Sequence, residues 1–130
     1  MTQDVIQMRL PLKAEYLPVL RAAVGVIAGG MEFTYDEVLQ LRVAVSEVFD
    51  LAAGVSATGS NNNGARELDV RFVPGPDRLQ VEVRALAPDG VALDPDEESR
   101  ALLASLMDSV EFGRDGATVL LAKNRPAGRQ

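Results

Sequence analysis

The chain has 130 residues, with 13 Lys plus Arg against 19 Asp plus Glu, a formal charge of −6, and no His, Cys or Trp. Without imidazole or thiol there is no Ser-His-Asp triad, Cys-His dyad, Cys/His zinc site or disulfide framework, so any chemistry runs through carboxylates, hydroxyls, lysine or backbone donors. An isoelectric point near 4.6 sets the surface field against nucleic acid and anionic membrane, and neither is an expected partner.

With 47% apolar and 25% charged residues the chain can bury a real core, and it is expected to form one domain over 1–125 with a frayed tail over 126–130. The apolar stretch Leu17–Gly30 contains Arg21 and follows Asp4, Arg9, Lys13 and Glu15. That layout suits neither a signal peptide nor a bilayer span, so a cytoplasmic protein is expected.

In chain order, Val5–Leu10 has the alternation of a short strand, closed by Pro11, which cannot donate to a ladder. From Ala14 to Ala28, Leu17, Leu20, Val24 and Ile27 recur three or four residues apart, the spacing of a buried helical stripe, and Gly29-Gly30 is expected to stop that helix. Thr34 with Glu37 three residues on is a capping-box pattern that starts a second helix. Val38, Leu41, Val45, Val48 and Ala52 continue it at helical spacing. Gly54–Gly64, rich in Gly, Ser and Asn, reads as a mobile surface loop. Leu68, Val70 and Phe72, then Leu79, Val81 and Val83, alternate as two strands around the turn Pro74-Gly75-Pro76-Asp77.

Ala87-Pro88-Asp89-Gly90 breaks the sheet. Asp94-Pro95-Asp96-Glu97 then reads as a helix start, with Asp94 as cap and Pro95 at the first position, leading to a third helix through Leu106 and Met107. Val110–Phe112, the turn Gly113–Gly116 and Thr118–Lys123 form a closing strand pair. This order builds an α+β two-layer sandwich, with helices on one face of a mostly antiparallel mixed sheet.

Two chemical motifs fail on their own terms. Gly59–Gly64 has the glycine spacing of a phosphate-binding loop, but Ala65-Arg66 stands where Lys and Ser/Thr are needed. The acidic run Asp94, Asp96, Glu97, Glu98 lacks the glycine of a calcium loop and fits the positive end of a helix instead.

The segment Leu41–Ala52, with Tyr35-Asp36-Glu37 before it, resembles the signature helix of the RsbW-like anti-sigma factor serine kinases, which have a histidine-kinase-like ATPase fold. Ile6–Pro11 resembles that family's opening strand, Leu79–Val83 the strand before its first glycine box, Leu106–Val110 its Leu-Met-Asp-x-Val segment and Asp115–Val119 its last strand. The family helix carries Ser-Glu-x-x-x-Asn, in which residues four apart share a helix face, so that the carboxylate serves the attacking hydroxyl and the amide holds magnesium. Ser46 and Glu47 match, and the resemblance makes Glu47 the candidate catalytic base.

The asparagine position is Leu51, which offers magnesium no oxygen. Ala85 and Ala87 stand where the resemblance implies an adenine-reading Asp and a glycine, with Asp89-Gly90 close by at a shifted spacing. Glu97 and Ser99, around Glu98, fall where glycines would cradle phosphates. The resemblance therefore implies a regulatory binding module that sequesters a sigma factor or a STAS-type anti-anti-sigma protein, with a homodimer expected and no cofactor or metal. The alternative is an active protein serine kinase using ATP and magnesium, with Glu47 as base and Arg100, Lys123 or a backbone loop compensating. An unrelated α+β domain is a third reading, separated from the others by whether Glu47 faces a cleft.

Overall fold

The computed structural model describes residues 3–54, 67–87 and 93–125. The expected loop beyond Gly54, the Gly59–Gly64 motif, Asp89-Gly90 and the tail 126–130 lie outside the described residues.

Strict alternation builds the sheet. Strands β1 (Ile6–Pro11), β2 (Glu67–Pro74), β3 (Arg78–Leu86), β4 (Ser109–Phe112) and β5 (Thr118–Asn124) lie in the order β1-β2-β3-β5-β4. Because side chains alternate across a strand, register decides what each face carries. Ile6, Phe72, Val81, Leu121 and Val110 form one row across all five strands; Met8, Val70, Val83, Val119 and Phe112 form the next. The intervening rows, Gln7-Arg71-Glu82-Leu120-Glu111 and Arg9-Asp69-Arg84-Thr118, make the other face predominantly polar.

Every described pairing is antiparallel, where a mixed sheet was expected. The chain path explains it. Two helices separate β1 from β2, so the chain returns in the opposite sense. The single helix between β3 and β4 would make those two strands parallel neighbours, but β5 inserts between them.

Helices α1 (Leu17–Gly30), α2 (Tyr35–Ala53) and α3 (Glu97–Leu106) cover the apolar face. Leu20, Val24 and Ala28 of α1 are buried at four-residue intervals, and α2 buries Leu41, Ala44, Val45, Val48, Phe49 and Ala52 against the sheet. The capping box is complete: Glu37 N–H donates to Thr34 Oγ1 at 3.1 Å and Thr34 N–H donates to Glu37 Oε1 at 2.8 Å.

Three element ends differ from expectation. α1 begins at Leu17 behind a 3-10 turn over Ala14–Tyr16, because Pro18 has no N–H to return to Ala14 and is tolerated only in a helix's first turn. Gly29 and Gly30 remain helical, and the left-handed residue is Glu32 at φ 66°. Phe33 N–H to Ala28 O at 3.2 Å and Glu32 N–H to Gly29 O at 3.2 Å complete a Schellman stop, whose hydrophobic ends, Phe33 and Ala28, both sit in the core. Finally, α3 is capped by Asp96 and not by Asp94: Ser99 N–H donates to Asp96 Oδ1 at 2.8 Å, leaving buried Pro95 outside the helix.

Among the described residues no helix is long and apolar enough to cross a membrane.

Candidate functional site

α2 carries Glu47 on the flank of its buried stripe, next to Val48, and so turns the carboxylate toward the first turn of α3. There Ser99 Oγ donates to Glu47 Oε2 at 2.8 Å, in a half-buried contact between residues 52 apart in sequence. Glu47, Asp96, Glu98, Ser99 and Leu102 line an open cleft of about 340 Å³. Glu47 thus faces a cleft, as the family reading requires.

The cleft is acidic. Asp96 keeps its carboxyl below the usual carboxylate range, chiefly through the hydrogen bond from Ser99 N–H. At the next turn of α2, Asp50 is pushed up, first by partial burial and then by the negative charge of Glu47, with Arg21 acting in the opposite sense.

The three expected departures from the nucleotide pattern occupy ordinary structural places. Leu51, one turn beyond Glu47, is half-buried. Ala85 is buried in β3, and its N–H donates to Ala117 O at 2.9 Å, so the position belongs to the sheet. Glu97, Glu98 and Ser99 form the first turn of α3, with Asp96 already bound to a free N–H there. A helix N-terminus attracts phosphate through such free N–H groups, and here the protein's own carboxylate takes that place. With Glu98 beside it, this turn meets a phosphate with carboxylates and does not form the cradle that the resemblance implies.

Neither side chain named as a compensating cation lines the cleft. Arg100 lies over the Phe112 ring, 4.9 Å from its centre. Lys123 is buried, and its Nζ donates to Leu106 O at 2.6 Å, capping the C-terminal end of α3. Seven residues of helix separate that end from Ser99, about 10 Å at the helical rise.

Ser46 is turned away from Glu47. Its Oγ donates to Arg42 O at 2.7 Å and accepts from Arg21 Nε at 2.8 Å, tying α1 to α2. Arg21, Leu39, Arg42, Val43 and Ser46 line a second, mainly apolar groove of about 290 Å³. A side chain on Gly25 would come within 2.5 Å of Arg42 Nη2, so glycine gives that guanidinium its place over α1. This groove was missed in the sequence; its signal is the apolar residues on the outer side of α2, with Leu39 and Val43 exposed by 39% and 45%. Ser99 was noted only as a lost glycine, although Asp-x-x-Ser is itself a cap pattern.

No family model matches the chain. It is similar to the serine-protein kinase RsbW of Bacillus pumilus, 30% identical over 141 aligned positions that take in 94% of this chain and 86% of that protein. The RsbW proteins of Bacillus licheniformis and Bacillus subtilis are 34% and 35% identical over 99 residues, 76% of this chain and 58% of each relative. The matched span therefore covers little more than half the length of those two relatives. The similarity to the Bacillus pumilus protein runs through nearly all of both chains, along the elements that carry the core and Glu47, and the chain belongs to the family of the serine-protein kinase RsbW.

Proposed function

We propose that this chain is a regulatory binding module of the anti-sigma type, which holds a sigma factor or a STAS-type anti-anti-sigma antagonist without phosphorylating it. The observation that carries the reading is the first turn of α3: where phosphates would dock, Asp96 caps the helix, Ser99 is bound to Glu47, and Glu98 adds charge of the wrong sign. Loss of the magnesium-holding side chain at Leu51 supports it, because a triphosphate without its metal meets those carboxylates unscreened.

Binding needs a surface, and the α1–α2 groove supplies one. Exposed Leu39 and Val43 beside Arg21 and Arg42 form an apolar strip with positive edges on a molecule of charge −6. It suits an amphipathic segment with acidic flanks. The proposal includes a cytoplasmic location, which the layout of charged and apolar residues suggests, and a homodimer, which the family resemblance implies.

The second reading, a protein serine kinase with Glu47 as base, draws support from the placement of that carboxylate in the cleft. Mixing the chain with candidate sigma factors and STAS proteins, with radiolabelled ATP and magnesium, separates the two. The binding-module reading expects a stable complex by size exclusion and no label on the STAS serine. Label transfer that is lost in Glu47→Gln establishes the kinase.

A further inference from the structure

The contact between Glu47 and Ser99 joins two elements anchored in the core to very different depths. α2 brings six buried residues to the core, whereas α3 brings one, Leu103. Met107, just past the helix end, adds a second anchor at the far side, and Lys123 holds the same far end. The first turn of α3 has no buried apolar residue of its own. Leu93 and Pro95, just before the cap, are buried, but the contact that joins the turn itself to α2 is polar: Ser99 Oγ on Glu47, with Ser99 N–H on Asp96 setting the serine's place in the turn.

We propose that Glu47 acts in this protein as a positioning residue, a latch that holds the first turn of α3 against α2 and keeps the cleft in one geometry without any bound ligand. This goes beyond the absence of phosphoryl transfer and assigns the retained carboxylate a different task. The base of a phosphoryl transfer must leave an oxygen free for the substrate hydroxyl and be able to accept its proton. A latch needs only a hydrogen-bond acceptor at the right place, which an amide oxygen supplies equally well.

Hydrogen–deuterium exchange on the full chain, read over Glu97–Leu106 with β2 and β3 as internal controls for global opening, tests it. Glu47→Ala and Ser99→Ala should each speed exchange in α3 about fivefold to tenfold, the range of one net hydrogen bond. Glu47→Gln should stay within about twofold of the parent chain, and Glu47→Ala with Ser99→Ala together should be no faster than either alone, since both remove the same bond. Unchanged α3 exchange in both alanine variants, a Gln variant as fast as the Ala variant, or effects that multiply in the double variant would each overturn the proposal. Should Glu47→Ala also open β2 and β3, Ser99→Ala, which deletes one exposed-side hydroxyl, decides the matter. Titrating the parent chain with magnesium and ATP tests the binding-module reading separately, so each can fail without the other.

Discussion

Glu32 carries the left-handed turn that ends α1, although two glycines stand immediately before it. A side chain with a Cβ is disfavoured there, while Gly29 and Gly30 sit in helical backbone with open space where a Cβ would go. Glu32→Gly should therefore stabilise the fold by about 0.5–1 kcal/mol, and Gly30→Ala by a similar amount, each read as a shift in urea midpoint at unchanged slope. The carboxylates divide by sign. Asp115 accepts from Ala117 N–H, Thr118 Oγ1 and Thr118 N–H, and these bonds hold its carboxyl below 3.8, with the Ala117 bond the largest cause. Its contribution is present above the unfolded-state pKa and is lost as pH falls through the lower folded value. Asp50 runs the other way: its folded carboxyl is raised above 3.8, so its charged form opposes folding and protonation relieves that cost. In melting curves across pH, Asp115→Asn should lower the melting temperature at pH 7 and flatten the acid limb. Asp50→Asn should raise it at pH 7, a gain that fades as pH falls through the raised Asp50 pKa. At this scale the helical stripe made the place of Glu47 on a flank of α2 legible, while its candidacy as a base came from the family resemblance. Its partner was not legible, since Ser99 lies 52 residues away and only packing brings it near.

At the scale of the element, caps and breakers decide more than apolar spacing does. Thr34 and Glu37 satisfy each other's N–H groups, so Thr34→Ala should cost about 1 kcal/mol, visible in the urea midpoint of the whole chain because α2 is the main helical partner of the sheet. The period of α2 and the alternation of β2 and β3 were readable directly, since each buries one side and leaves the other more open. Ends were harder. Pro18 moves the start of α1 by three residues from Ala14 to Leu17, a backbone effect that apolar spacing does not register. Asp94 and Asp96 offer the same side chain two residues apart, and the choice falls to Asp96 because its oxygen meets Ser99 N–H while Pro95 goes into the interior. The stop of α1 misleads for a similar reason: glycine is the commonest residue at a helix end, but hydrophobic closure between Phe33 and Ala28 fixes where the chain turns.

For the molecule as a whole, the two helix-lined hollows have opposite character. The α2–α3 cleft is rimmed by Glu47, Asp96 and Glu98, whereas the α1–α2 groove is apolar between Arg21 and Arg42. The sense of each strand follows from the described helices between strands, but the strand order, above all the insertion of β5, is announced by no local pattern. If the groove is the partner surface, Val43→Asp and Arg21→Glu should each weaken capture of the sigma factor or STAS partner about tenfold or more in a titration, while the urea midpoint shifts little for Val43→Asp and falls for Arg21→Glu, which also loses the Ser46 bond. Arg21→Glu should also flatten or reverse the salt dependence of binding, because it replaces an attraction that salt screens with a repulsion that salt relieves. The account as a whole depends on the cleft being closed to a metal-bound triphosphate, and calorimetric titration of the full chain with ATP in excess magnesium measures that directly. No saturable heat up to about millimolar ATP, corresponding to no more than about 4 kcal/mol of binding, is the predicted result. Saturable, magnesium-dependent binding at micromolar ATP would contradict it.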